Sequence, residues 1–266
     1  MPRLDDLLEV AREAEAAASR VVRDGAGRPV EAETKSHGDY VTAVDRAAEQ
    51  AAGSVLRSRT PDIPIVGEEG GGELDAGRGW LVDPLDGTTN FVRGFVVVGV
   101  SVALVEDGQP VVGVVAAPLL GRSWWASRGG GAVASDGRRL HVRSHAGLGV
   151  VATGFPFRRK SEQLPRYMPV MEAALEQFED LRRAGAASLD LANTAAGVWD
   201  GFFELGLGPW DIAAGALLLT EAGGVVTDWD GDPQGALSSG DILAATPAAH
   251  ERLLGIARAA RAGRHP

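Results

Sequence analysis

An apolar run that ends in closely spaced carboxylates constrains this chain more than any other feature: Trp80-Leu81-Val82-Asp83-Pro84-Leu85-Asp86-Gly87-Thr88-Thr89-Asn90-Phe91. Trp80 to Val82 is expected to be a strand with Asp83 at its end, because Pro84 cannot extend a sheet ladder and turns the chain. The turn lets Asp83 and Asp86 converge with the Leu85 carbonyl between them, three oxygens of the kind a hard cation takes. The backbone N–H groups of Gly87 and Thr88 come next, and at a helix or turn start they point at an anion. Asp-Pro, Asp-Gly and paired Thr are also common turn formers. Two acids, a proline, a glycine and two hydroxyls directly behind an apolar strand weigh towards adjoining cation and phosphate sites.

Other segments carry acids in similar settings. Ile63 to Val66 reads as a strand that delivers Glu68 and Glu69 to its C-terminal end. The two alternate faces if the strand continues, so only one can reach a shared metal, and a solvated loop is the competing reading. Thr42 with Asp45 three residues on resembles a capping box at the start of the second helix, which needs no catalysis to explain it. A helix start can also present Asp45 to a site while the dipole steadies its charge. Asp211 falls in the first turn of a nearly all-apolar helix, either as a dipole-favourable acid or as the carboxylate with which a distant segment closes a metal site. Glu204 interrupts Phe202, Phe203 and Leu205, and its simple reading is a solvent-facing residue.

Acids outnumber bases 36 to 26, a net charge of -10 that argues against nucleic acid or an anionic membrane as the main partner. Only two of the basic residues are lysines, Lys35 and Lys160. Cysteine is absent, which excludes disulfides, thiol nucleophiles and cysteine-built zinc sites. Carboxylates are then the expected ligands of any metal, which favours Mg²⁺ or Mn²⁺. The N-terminal stretch is sprinkled with Arg, Asp and Glu where a secretory signal needs an apolar core, and the run Phe95 to Val105 is too short to span a bilayer. A cytoplasmic location is expected.

The length of 266 residues suits one large domain or two lobes. Leu4, Leu7, Leu8, Ala11, Ala14, Ala18, Val21 and Val22 mark an amphipathic first helix. The second begins at Thr42 with Val44, Ala47, Ala48, Ala51, Val55 and Leu56 inward. Val96 to Val105 and Val111 to Val115 flank the turn Glu106-Asp107-Gly108-Gln109 as a β-hairpin. Beyond about His145, strands at Val150 to Thr153, Phe202 to Leu205, Val225 to Thr227 and Ile242 to Ala244 alternate with helices near Arg166 to Phe178, Ser188 to Ala196, Trp210 to Ala222 and Pro247 to Ala260. An α+β lobe over 1–145 and an α/β lobe over 146–266 follow, the first carrying most metal motifs and the second completing the site. Gly70 to Gly72 and Gly129 to Gly131 lack the spacing of a phosphate-cradling loop and read as mobile turns.

Taken in order, Asp39 to Asp45 (DYVTAVD), Gly67 to Glu69 (GEE), Trp80 to Phe91 (WLVDPLDGTTNF) and Trp210 to Gly215 (WDIAAG), followed by Glu221-Ala222-Gly223-Gly224, resemble the inositol monophosphatase family of the wider fructose bisphosphatase and inositol phosphatase superfamily. Gly154-Phe155-Pro156-Phe157 and Arg182-Arg183-Ala184-Gly185 resemble bacterial members. The resemblance implies a five-layered αβαβα sandwich and Mg²⁺-dependent hydrolysis of small polyol phosphate monoesters, inositol 1-phosphate foremost. Histidinol phosphate, fructose bisphosphate and phosphoadenosine phosphate are alternatives handled by related enzymes.

On this resemblance Glu68, Asp83 and the Leu85 carbonyl hold one Mg²⁺, Asp83, Asp86 and Asp211 a second, and Glu68 a weaker third through water. Asp45 and Thr88 orient the attacking water, Gly87 and Thr88 offer N–H groups to the phosphate, and Gly185, Ala187 and Glu204 contact the polyol. The family often carries Thr or Ser after the glycine at Gly185; here Ala186 leaves backbone groups to face the sugar. A homodimer and sensitivity to lithium are also implied. A regulatory, partner-binding protein is the reading from another class, and a missing metal carboxylate would support it; none is missing.

Overall fold

Leu7, Ala11, Ala14, Ala18 and Val22 recur at three- and four-residue spacing and form the buried face of α1 (Leu4–Gly25). The computed structural model describes the chain apart from residues 1–2, 29–31, 37–38, 75–76, 145–148, 158–159 and 264–266, and the lobe boundary expected at 145 falls outside the described residues. A two-stranded antiparallel ribbon, β1 (Ala32–Ser36) and β2 (Asp39–Thr42), leads directly into α2 (Ala43–Arg59). The inward face of α2 is Asp45, Ala48, Ala52, Gly53 and Leu56, whereas Ala47, expected inside, is exposed. Burying Asp45 turns the helix so that its stripe follows Asp45, Ala48, Ala52 and Leu56.

Six strands form the first sheet in chain order: β3 (Ile65–Gly67), β4 (Gly79–Asp86), β5 (Gly99–Glu106), β6 (Gln109–Ala117), β7 (Arg122–Ser127) and β8 (Gly131–Ala134). The short α3 (Thr88–Val92) interrupts them after β4. Only β3 runs parallel to its neighbour. The expected hairpin is β5 and β6, turned by Asp107 at φ 52 and Gly108 at φ 73, the left-handed pair of a tight hairpin. β5 starts at Gly99 rather than Val96, and Phe95 and Val96 are exposed.

Pro84 does not end β4. The strand continues to Asp86 through a bulge: Asp83 pairs with Ser101 and Asp86 with Gly99, so β4 carries one residue more than β5 between these points. Proline has no N–H to give the ladder, and a bulge does not ask for one.

The second sheet is built from β9 (Val150–Thr153), β10 (Asp180–Arg182), β11 (Gly201–Glu204), β12 (Val225–Thr227) and β13 (Ile242–Ala245), in the spatial order β10-β9-β11-β13-β12. Between and after them run α4 (Lys160–Gln177), α5 (Ala187–Ala195), α6 (Pro209–Glu221), α7 (Gly235–Ser239) and α8 (Pro247–Arg261). α4 starts six residues before the expected Arg166, with Pro165 and Pro169 inside it. These prolines leave the carbonyls of Ser161 and Pro165 without helical partners, and both residues are exposed, so water can serve them.

Packing orders these elements into five layers. α1 and α2 cover one face of the six-stranded sheet, α5 and α6 fill the space between the two sheets, and α4 and α8 cover the far side. The expected αβαβα sandwich is the observed one. α6 can approach the first sheet closely because Gly113 faces it: a Cβ there would lie 2.9 Å from the Ala214 backbone. The two glycine-rich turns are held rather than loose. The Glu49 carboxylate accepts from the N–H groups of Glu69 and Gly70 at 2.8 and 2.7 Å, and the Glu221 carboxylate accepts from those of Gly129 and Gly131, both at 2.8 Å.

Candidate active site

Parallel pairing of β3 with β4 carries Glu68 to Asp83. Gly67 lies opposite Val82, and the Glu68 N–H donates to the Val82 carbonyl at 3.1 Å. The third carboxylate comes from the far end of the chain. Ser101, the register partner of Asp83, donates its hydroxyl to the Trp210 carbonyl at 2.9 Å and so fixes the first turn of α6 against β5. Asp211 follows, its Oδ2 accepting from the Gly208 N–H at 2.8 Å as a cap of its own helix. Carboxylate oxygens of Glu68, Asp83 and Asp211 then lie within 4.8 Å of one another, with Asp83 and Asp211 buried. Of the Glu68–Glu69 pair, Glu68 lines the cavity that opens here.

Asp86 stands beside this group. Its Oδ2 accepts from both the N–H and the hydroxyl of Ser188, at 2.7 and 2.6 Å, which ties β4 to the start of α5. Leu85 is buried, its N–H donates to Asp83 Oδ1 at 3.0 Å, and its carbonyl oxygen lies 3.2 Å from the Thr88 hydroxyl oxygen. Burial pushes the Asp83 carboxyl well above its ordinary range, and the nearby charges of Glu68, Asp86 and Asp211 push it further. Asp86 is pushed up to about 6 by burial and by Asp211, against the pull of the Ser188 hydrogen bonds. Such crowding of anionic oxygens is costly for the protein alone and fits a hard divalent cation. The described donors are the ones Mg²⁺ takes.

The capping box is real and has a second use. Asp45 Oδ2 accepts from the Thr42 N–H at 2.9 Å and the Thr42 hydroxyl at 2.5 Å, while its other oxygen accepts from the Thr88 hydroxyl at 2.8 Å. The helix cap therefore aims a buried carboxylate at the turn after β4. In that turn Gly87 has φ 89, the left-handed conformation glycine allows, and a Cβ on it would lie 3.0 Å from the Gly185 carbonyl. Asn90 pins the same loop, donating to the Val97 and Ala184 carbonyls at 2.7 and 2.9 Å.

Gly185, Ala187 and Glu204 all line the cavity, which has a volume of about 390 Å³. The solvent-facing reading of Glu204 is overturned: it is half-buried at the end of β11, against Gly154, where any side chain would collide with its carboxylate. Burial raises its carboxyl well above the ordinary range, and the charges of Asp190, Asp211 and Asp86 add to this. Sequence reasoning passed over Ser101, Ser188 and Asn90 as working residues. Their signal is weak, because a serine or asparagine that orients a carboxylate or a loop looks like any other until the strands are paired.

The model of the inositol monophosphatase family matches residues 3–262, and the chain belongs to that family. Among its relatives is a Pseudomonas aeruginosa protein named Nus factor SuhB, 46% identical over 223 residues that cover 81% of this chain and 82% of that one. An Aquifex aeolicus protein named fructose-1,6-bisphosphatase/inositol-1-monophosphatase is 37% identical, with 97% of each chain covered. Among solved structures, the Thermotoga maritima IMPase superposes with a TM-score of 0.84 at 31% identity, covering 99% of both chains. The Bartonella henselae extragenic suppressor protein suhB reaches a TM-score of 0.88 at 34% identity, covering 95% of this chain and 98% of that one.

Proposed function

We propose that this protein is a Mg²⁺-dependent phosphoric monoester hydrolase acting on small polyol phosphates, with inositol 1-phosphate the first choice among monophosphates. The observation that carries the reading is the group formed by Glu68, Asp83 and Asp211 in a cavity shared with the left-handed turn at Gly87. Glu68, Asp83 and the Leu85 carbonyl would hold one Mg²⁺ and Asp83, Asp86 and Asp211 another, with a third leaning on Glu68. Bound there, the metal would supply charge neutralisation of the phosphoryl oxygens, an activated water and stabilisation of the leaving alkoxide.

The chain's own residues do the positioning. Thr88 gives its hydroxyl proton to Asp45, so the oxygen of Thr88 is left to accept from a water placed in line with the phosphorus. Asp45 can take the proton that this water loses. Gly87 and Thr88 present backbone N–H groups to the phosphate. Gly185, Ala187, Glu204 and Asp211 meet the polyol, with backbone groups at Ala186 and Ala187 where relatives often use a hydroxyl.

A panel of inositol 1-phosphate, histidinol phosphate, fructose 1,6-bisphosphate and phosphoadenosine phosphate with Mg²⁺ tests the substrate. Turnover of inositol 1-phosphate is expected, with inhibition by Li⁺. Activity confined to histidinol phosphate would overturn the substrate choice, and no turnover of any ester would overturn the enzyme. The same reading takes the protein as a cytoplasmic homodimer. Among the described residues no helix is long and apolar enough to cross a membrane.

The name Nus factor, borne by the Pseudomonas aeruginosa relative, favours a second reading as a regulatory protein that binds a macromolecular partner. Asp83→Asn separates the two. Rescue of a gene-deletion phenotype by this inactive variant would place the function in partner binding, and failure to rescue would place it in catalysis.

A further inference from the structure

Glu49 is a half-buried acid on α2 with no part in the site so far, yet its carboxylate is committed to the turn that carries Glu68. Reciprocal hydrogen bonds close that turn, Gly67 and Gly71 each donating an N–H to the other's carbonyl at 3.0 Å. The N–H groups of Glu69 and Gly70 converge on Glu49, each donating to a different oxygen, at 2.8 and 2.7 Å. Two successive N–H groups arranged in this way form a small anion-binding concavity, and the Glu49 carboxylate fills it.

The glycines of the turn record the same contact. A Cβ on Gly67 would collide with the Glu49 carboxylate, and one on Gly70 would lie 2.6 Å from its Oε1. Neither residue has the positive φ that by itself calls for glycine, unlike Gly71 at φ 66 and Gly72 at φ 121. Room for the carboxylate is what these two positions need.

A tie that served stability alone would not call for a further negative charge at a strand end where Glu68, Asp83 and Asp211 already gather. What a carboxylate offers over a neutral side chain is two acceptors in one plane and charge-assisted bonds about twice as strong as neutral ones. Glu68 is then held on both sides: its own N–H donates to the Val82 carbonyl at 3.1 Å, and Glu49 holds the residues that follow it. Asp45 lies four residues before Glu49 and shares its helix face, and Asp45 accepts from Thr88 at 2.8 Å. One helix therefore grips both turns of the site, the one bearing Glu68 and the one bearing Thr88.

We propose that Glu49 is a positioning residue for the metal ligand Glu68. It holds the 67–71 turn in the conformation in which the Glu68 carboxylate lies within 4.8 Å of those of Asp83 and Asp211. The inference rests on the phosphatase reading, in which Glu68, Asp83 and the Leu85 carbonyl hold one Mg²⁺. Donors fixed by the fold bind more tightly than donors that must be ordered on binding.

Calorimetric titration of the chelator-treated protein with Mg²⁺ tests this. Glu49→Ala should weaken Mg²⁺ binding about 10- to 100-fold, the range for loss of a group that orients a metal ligand. Glu49→Gln keeps one acceptor and should lose less. Hydrogen exchange of the metal-free protein should show the Glu69 and Gly70 amides exchanging faster in both variants, with those of the β5–β6 hairpin unchanged. Gly70→Ala drives a methyl group against the carboxylate while leaving Glu49 in place; it should lose Mg²⁺ affinity as well, and adding Glu49→Ala to it should cost little more. A purely structural tie would lower the melting temperature in chelator and leave the Mg²⁺ affinity of the folded variants at the wild-type value. That result overturns the proposal, while Mg²⁺ binding and ester turnover by the wild type leave the phosphatase reading standing. If Glu49→Ala does not fold, Glu49→Gln and Gly70→Ala decide. A wild type that neither binds Mg²⁺ nor turns over any ester of the panel overturns both.

Discussion

Asp83→Asn should make the metal-free protein more stable while removing its response to Mg²⁺. The oxygens of Glu68, Asp83 and Asp211 lie within 4.8 Å of one another. At an effective dielectric constant of about 20, two unit charges at that separation repel by about 3.5 kcal/mol. A proton held by the raised Asp83 carboxyl already relieves part of this. The gain left for asparagine is thus at most about 3 kcal/mol, which for a chain of this size raises Tm by no more than roughly 10 °C. Asparagine keeps the oxygen that accepts from the Leu85 N–H at 3.0 Å, so the bulge loses no hydrogen bond. The assay is thermal melting in chelator at pH 7.5, followed by titration with Mg²⁺. Wild type should gain stability by mass action, about 2.7 kcal/mol when Mg²⁺ reaches 100 times its Kd. The variant should gain little and hydrolyse nothing. A variant that melts below wild type in chelator, or that keeps the full Mg²⁺ gain, would refute the account of this group as a strained cation site.

Other expectations follow from the same geometry. Asp86 binds its proton more tightly folded than unfolded, at about 6 against an ordinary 3.8, so its contribution to stability is complete below pH 4 and lost as the pH rises through 6. Chelated wild-type protein should show this loss in denaturant melts between pH 4 and 7, and Mg²⁺ should flatten it; equal slopes with and without the metal would count against the site. Asp45→Asn leaves one acceptor oxygen where Thr42 and Thr88 now use two, and turnover should drop at least about 100-fold with small change in melting. Ser188→Ala removes the hydroxyl at 2.6 Å from Asp86 and should weaken the Mg²⁺ affinity read by calorimetry about 10- to 100-fold. Gly87→Ala forces a side chain into φ 89 with a Cβ only 3.0 Å from the Gly185 carbonyl, and should cost about 1–3 kcal/mol in denaturant unfolding.

What the chain discloses by itself depends on how far apart the interacting residues are. The Thr42–Asp45 cap is legible because it closes within one helical turn, and the β5–β6 hairpin because Asp107 and Gly108 sit between two apolar runs. Asp211 is legible only as an acid at a helix start. Its place beside Asp83 depends on a serine hydroxyl that reaches a carbonyl 109 positions further along. Glu204 reads as surface from its strand alone, and Gly154, 50 positions earlier, is what makes room for it. The strands β7 and β8 carry few consecutive apolar residues, and the pairing that defines them is supplied by their neighbours. On α2, Val44, Ala48, Val55 and Leu56 pack inward as expected, while Ala47 is exposed and the buried carboxylate of Asp45 takes a place that an apolarity count passes over.

The bulge at Pro84 explains why the two aspartates of the central string can act together. Side chains alternate along a strand, so residues three apart on a regular β4 would leave opposite faces of the sheet. One of Asp83 and Asp86 would then point towards α1 and α2, away from the cavity. The extra residue between their partners Ser101 and Gly99 shifts the phase, and both carboxylates turn to the α5–α6 side, where Ser188 holds one and Asp211 meets the other. A turn that ended the strand, as Pro84 first suggests, would also converge them, but without a partner strand to hold the spacing. Retaining the ladder on both sides of the bulge fixes the carboxylates to β5, and through Ser101 to α6. Net charge therefore says little about this cavity. Ten excess negative charges are spread over the chain, while local chemistry is decided by the one backbone irregularity that makes two of the acids face the same way.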